Sequence, residues 1–125
     1  MLNEESSERV RTSAQQIAAE KAIAYIQTHY AEKFSLDQIA TALFLNKIYL
    51  SKCFKQATGV TLLQYHNRVR CEAACALLEH TDLSVEIVSD RVGFATPSHF
   101  ARIFRGVYAC SPTEYRKKSR RQTWN

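Results

Sequence analysis

Only three glycines and two prolines occur among 125 residues, and no stretch alternates apolar with polar side chains over any length. Many short strands with tight turns are thereby excluded as the main architecture, which points to an all-α chain. Long apolar runs are also missing, and none approaches the ~20 residues that a membrane span requires. No signal peptide or lipidation motif is visible, so the chain reads as soluble and cytoplasmic, with no membrane partner. The four cysteines form no C-x-x-C pair and no cluster at zinc-finger spacing. Cys53 falls on an apolar stripe, Cys71 and Cys75 stand one helical turn apart, and Cys110 sits in a turn. All four read as small buried hydrophobes, and no metal or cofactor is expected. His29, His66, His80 and His99 are scattered singly, and none stands beside a nucleophile with a carboxylate partner. Catalytic residues are therefore expected to be none, and the chain is not expected to be an enzyme.

What is present is apolar surface and uneven positive charge. With 46% apolar residues the chain can bury a core, as one domain or two very small ones. The net charge is +5, a modest pull towards an acidic partner. Its distribution says more. Residues 1–34 carry four basic and five acidic side chains, whereas residues 102–125 carry seven basic ones against Glu114 alone. Nucleic acid is the leading candidate partner, ahead of an acidic membrane surface, which is not expected to be one.

The stretch from Asn46 to Gly59, NKIYLSKCFKQATG, divides into two faces on a helical wheel. Leu50, Cys53, Phe54 and Ala57 follow the i, i+3, i+4, i+7 spacing of a core stripe. Lys47, Ile48, Ser51, Lys52 and Lys55 lie opposite, three lysines with no carboxylate on that side. A solvated helix usually mixes both signs. Fifty residues on, TPSHFARIFR repeats the design. Phe100 and Phe104 take the places of Leu50 and Phe54. Pro97, Ser98, Ala101, Arg102 and Arg105 take those of the exposed face. Tyr65 pairs with Tyr115 at the same offset, and SLDQIATAL (Ser35–Leu43) pairs with SVEIVSDRV (Ser84–Val92) at an offset one residue shorter.

Two copies of one unit are thus expected. Residues 1–12 read as a flexible polar tail, and Ser13 with Gln16 as a capping box opening a helix to about Tyr30, its stripe made of Ile17, Ile23, Ile26 and Tyr30. Residues 13–60 form the first helix-turn-helix, with Ser35 and Gln38 opening its short helix and Asn46 capping the next. A linker helix follows over 61–80, opened by Thr61 and Gln64. Leu62, Tyr65, Val69, Ala73, Ala76 and Leu77 form its apolar stripe. The second helix-turn-helix spans 81–118, with Thr96 and Pro97 starting its exposed helix. A basic tail, 119–125, closes the chain.

These residues carry a family likeness. VGFATPSHFARIFRGVYACSPTEYRK resembles the signature of the AraC/XylS family of bacterial transcription activators, through Gly93-Phe94, Arg102-Ile103-Phe104-Arg105 and Ser111-Pro112-Thr113-Glu114-Tyr115-Arg116. LSKCFKQATGVTLLQY resembles the family's first helix-turn-helix, and RVRCEAACALL its linking helix. The likeness covers about residues 20–118. It departs at Phe44 and at Ala109, where the family usually has glycine. If Phe44 must be left-handed, it stores of order 1 kcal/mol of strain.

The resemblance implies a seven-helix, bipartite domain that places two recognition helices in successive major grooves of double-stranded DNA. A helix of ~18 residues spans about 27 Å, near the ~34 Å repeat of the major groove. Base contacts are expected from Ile48, Ser51, Lys52, Pro97, Ser98, Ala101 and Arg102. Of these, Arg102 is suited to guanine O6 and N7 and Ile48 and Ala101 to thymine methyls. Phosphate contacts are expected from Asn46, Lys47, Lys55, Thr96 and Arg105. The resemblance further implies RNA polymerase as a partner, a nucleoid-associated location, and a sensor or dimerisation domain outside these residues. The competing reading is a helical adaptor binding an acidic protein through the same faces. A third, an enzyme with a cysteine nucleophile, would require thiol reagents to abolish an activity.

Overall fold

The computed structural model describes the backbone of residues 3–123 and the side chains of residues 13–121. The described residues form seven helices and no strand: α1 (Asn3–His29), α2 (Leu36–Ala42), α3 (Lys47–Thr58), α4 (Leu62–His80), α5 (Val85–Arg91), α6 (Pro97–Tyr108) and α7 (Pro112–Thr123). They make two compact units. One takes the chain up to His29 together with Phe34–His66, and the other takes Tyr30–Lys33 together with the chain from Asn67. The linker helix is therefore not a separate body, because α4 belongs to the first unit through His66 and to the second from Asn67.

In the first unit α1 begins at Asn3, not Ser13, so residues 3–12 are helical where a tail was expected. Ser13 and Gln16 lie inside the helix and cap nothing. No glycine or proline interrupts the chain between Asn3 and His29. The buried stripe also differs from the expected one. Ala18, Ala19, Ala22 and Ile26 are buried, and Ile17 is 52% exposed. These small side chains let α1 pack closely on α3, which presents Leu50, Cys53 and Phe54, all buried. Ala57, expected on that stripe, is exposed. The Phe54 ring meets Tyr65 at 5.6 Å, edge on.

The α2–α3 corner is built from caps. Ser35 Oγ accepts from the Gln38 amide (3.1 Å), and Asn46 Oδ1 accepts from the amides of Ile48 (2.8 Å) and Tyr49 (3.2 Å). Between the helices Leu45 N donates to the Ala40 carbonyl at 2.9 Å, while Phe44 adopts φ 57. Gly59, at φ 83, ends α3. Thr61 and Gln64 then satisfy each other's backbone amides at 2.9 and 3.1 Å, a complete capping box for α4.

The second unit repeats this order around an aromatic core. Phe94, Phe100 and Phe104 are buried with Cys71, Ala74, Leu78, Val88, Val92 and Cys110. Phe104 touches three rings, those of Phe100 (5.6 Å), Tyr108 (4.7 Å) and Tyr115 (5.6 Å). Ser84 caps α5 and Thr96 caps α6, each accepting the amide three residues on, at 3.2 and 3.1 Å. Gly93, at φ 101, sits so close to the backbone of Ala31 that a Cβ would lie 2.5 Å from its carbonyl oxygen. Within α4, buried Val69, Cys71, Ala74 and Leu78 form the stripe, and Ala76, expected on it, faces solvent.

Three arginines tie this unit together. Arg70 is buried; its Nε donates to the Tyr30 carbonyl (2.6 Å), its Nη2 donates to that of Glu32 (2.7 Å), and its guanidinium lies 5.2 Å from the Phe94 ring centroid. Arg116 donates to the carbonyls of Leu78 (3.0 Å) and Thr81 (3.3 Å). Arg120 donates to Thr81 O (2.9 Å) and to Asp82 Oδ1 (2.7 Å). Arginines seated on the last carbonyls of a helix satisfy acceptors that the helix leaves open. Residues 119–123, expected as a basic tail, are consequently helical, and residues 124–125 lie outside the described part.

Candidate nucleic-acid interface

Each unit turns one face of its second helix to solvent. On α3, Lys47, Ile48, Lys52 and Lys55 are exposed and Ser51 is half-buried at the border. On α6, Pro97, Ser98, Arg102 and Arg105 are exposed and Ala101 is half-buried. These residues lie on two accessible helical faces, each with the core stripe of its own helix behind it, and Asn46 and Thr96, also exposed, cap the two helices. Ile48 is 73% exposed, an aliphatic side chain left in water among lysines.

The charges are less uniform than the helical wheel implied. Lys47 Nζ lies 3.1 Å from Asp37 Oδ1, so α2 brings a carboxylate to the edge of the lysine face. Arg105 Nη2 lies 3.5 Å from Glu114 Oε1. Both pairs are well exposed and add little stability. The described ion pairs do not include Lys52, Lys55 or Arg102. Glu114 is held below the ordinary glutamate range by hydrogen bonds from Ser111, with Arg105 and Lys118 adding smaller attractions.

The two capping residues proposed for phosphate retain side-chain donors. Asn46 Oδ1 is occupied by two α3 amides, which leaves the side-chain NH2. Thr96 Oγ1 accepts from His99 N, and its hydroxyl hydrogen remains to be given. Pro97 has no N–H, and it stands at the start of α6, where that lack matters least.

Sequence reading missed Asp37, because nothing on α3 records what α2 places beside it. It also counted Arg116 and Arg120 as charge for an acidic partner, whereas both are engaged with backbone carbonyls. A signal for this existed. Arg70 and Arg120 stand fifty residues apart, the offset of the repeat, and both hold carbonyls just past a helix end. The cysteines are free, with Cys53, Cys71 and Cys110 buried. Desolvation, followed by Cys75 and Glu72, pushes the Cys71 thiol up to about 12, the direction opposite to an activated nucleophile. No described helix is long and apolar enough to cross a membrane.

Two helix-turn-helix units sharing one linking helix define the class of this molecule. Comparison with known proteins narrows it. The family described as a helix-turn-helix domain matches residues 39–118, and the chain belongs to this AraC/XylS-type family. The uncharacterized HTH-type transcriptional regulator YisR of Bacillus subtilis is 38% identical over 105 residues, covering 84% of this chain and 37% of YisR. The chain thus spans well under half the length of that relative. Among solved structures, the DNA-binding domain of the transcriptional factor AdpA in complex with a target DNA is similar, with TM-score 0.77 and 29% identity over 83% of this chain and 94% of that one. A transcriptional regulator from Chromobacterium violaceum, described as AraC-type, has TM-score 0.79 and 25% identity over 86% of this chain and 96% of its own.

Proposed function

We propose that this chain binds double-stranded DNA sequence-specifically and regulates transcription, as an activator that touches RNA polymerase at the nucleoid in the cytoplasm. The observation that carries this reading is the repeated face itself: two cationic helical surfaces, each backed by a core stripe, one on α3 and one on α6. In this reading α3 and α6 enter successive major grooves. Arg102 pairs with guanine O6 and N7, and Lys52 takes the corresponding place in the first unit. Ile48 and Ala101 meet thymine methyls, Ser51 and Ser98 add adaptable hydrogen bonds, and Pro97 holds the start of α6. Lys55 and the donors of Asn46 and Thr96 hold phosphates, as do Lys47 and Arg105 once released from Asp37 and Glu114.

Selection of bound duplexes from a random pool tests the reading, followed by titration of the selected site. Arg102→Ala is expected to weaken the selected site by about 1–3 kcal/mol and to relax preference at one base pair. An equal loss on random duplex would move Arg102 from base to phosphate. Lys55→Ala is expected to weaken all duplexes alike and to lower the salt slope by about one. Failure to enrich any sequence, with an acidic protein bound instead, would favour the adaptor reading.

A further inference from the structure

Phe44 is disfavoured twice where it stands. Its φ is 57, a backbone region that bulky residues rarely occupy, and its ring is 94% exposed. The turn calls for the left-handed backbone, as at Gly93 in the second unit, but nothing inside the fold calls for an exposed ring there. The corresponding residue of the second unit is Gly93, whose closeness to Ala31 leaves no room for a side chain. The first unit leaves that position open and fills it with the largest apolar side chain available short of tryptophan. An aromatic ring held in strain in water is a candidate for contact with something outside the chain.

Its surroundings choose the occupant. Phe44 stands two residues before Asn46, the cap of α3, and three before Lys47. Ile48, also exposed, follows four positions on. Further along α3, Lys52 and Lys55 are also cationic and exposed. A purely apolar protein groove would be a poor match for a ring that stands two residues before the Asn46 cap and three before Lys47. The backbone of duplex DNA matches it well, because each deoxyribose presents an apolar edge between two phosphates.

We infer that Phe44 packs against a deoxyribose at the lip of the major groove, beside the phosphates taken by Lys47 and the Asn46 amide. The inference rests on the DNA-binding reading above. Such a contact adds affinity without reading a base and without releasing a counterion. It is therefore distinguishable from both kinds of contact already assigned.

The test compares the whole chain with Phe44→Gly and Phe44→Ala on a selected duplex and on a random one, across a salt series. Both variants are expected to bind about five- to tenfold more weakly, equally on the two duplexes, with the slope of log K against log salt unchanged. Melting without DNA separates this from damage to the fold. Phe44→Gly, freed of strain, is expected to melt higher than Phe44→Ala while binding no better. Unchanged affinity in both variants would overturn the inference, as would a loss confined to the selected duplex or a shallower salt slope. If Arg102→Ala still loses selectivity, the DNA reading survives such an outcome. If the unaltered chain binds no duplex, that reading fails instead.

Discussion

In the first unit the turn between α2 and α3 is made by Phe44 at φ 57 and α3 ends on Gly59 at φ 83. In the second, the turn is made by Gly93 at φ 101 and α6 ends on Ala109 at φ 61. Both units need a left-handed residue at both places, and each supplies glycine at one of them. At the first of these places the choice follows space as well as dihedral angle. At Gly93 a Cβ would meet the Ala31 backbone, whereas a Cβ at Gly59 would meet nothing within 4 Å. Left-handed backbone is tolerated at about 1–2 kcal/mol; overlap with a neighbouring carbonyl is not.

The cores differ as well. The first unit packs α1 alanines onto α3, so its helices approach closely and few rings are needed. The second surrounds Phe104 with three rings. The largest expected effect separates the two cores. Phe104→Ala should cost about 4–5 kcal/mol and Phe54→Ala about 3, because the cavity left among rings collapses least. Urea denaturation of each variant measures this, and equal losses would mean that the aromatic cluster adds nothing beyond volume.

A smaller difference should separate the two glycines. Gly93→Ala is expected to lose about 3 kcal/mol, from left-handed strain together with the overlap at Ala31. Gly59→Ala should lose only about 1, from strain alone. Thermal melting of both reads the contrast directly, and it disappears if the second unit can shift its turn away from Ala31.

The smallest effect is one of acidity. Gln64 closes the α4 capping box with a neutral amide, whereas Glu114 Oε1 accepts from the Ser111 amide at 3.4 Å to do the same for α7. The Glu114 carboxyl is lowered in the folded chain from 4.5, first by the Ser111 hydrogen bonds. The stabilisation is therefore complete above that value and is lost as pH falls through the lower folded one. Amide exchange at the start of α7 should quicken in acid relative to the start of α4. Parallel behaviour of the two caps would show that the box in α7 does not depend on charge.

Much of this was legible along the chain. The fifty-residue offset exposed the duplication, and the caps at Ser35, Asn46 and Thr96 appeared where the sequence put them. The left-handed turns were marked by their departures from glycine at Phe44 and Ala109, the only non-glycine residues of positive φ among those described. The exposed faces of α3 and α6 could be read in advance because a helix of 3.6 residues per turn assigns faces without knowing its neighbours. The α1 stripe was misjudged because large apolar residues were given the core by type. Close packing against α3 instead favoured alanine.

Periodicity, capping chemistry and the repeat were local properties, and the sequence by itself determined them: an all-α chain, two units, two cationic faces. Only the tertiary structure decided which cations remain unpaired. Asp37 reaches Lys47 from another helix, and Arg70, Arg116 and Arg120 hold carbonyls roughly forty residues away along the chain. The reason is physical. A side chain's rotamer and face follow from its own helix, but its hydrogen-bond partners depend on which distant backbone folding brings within about 3 Å.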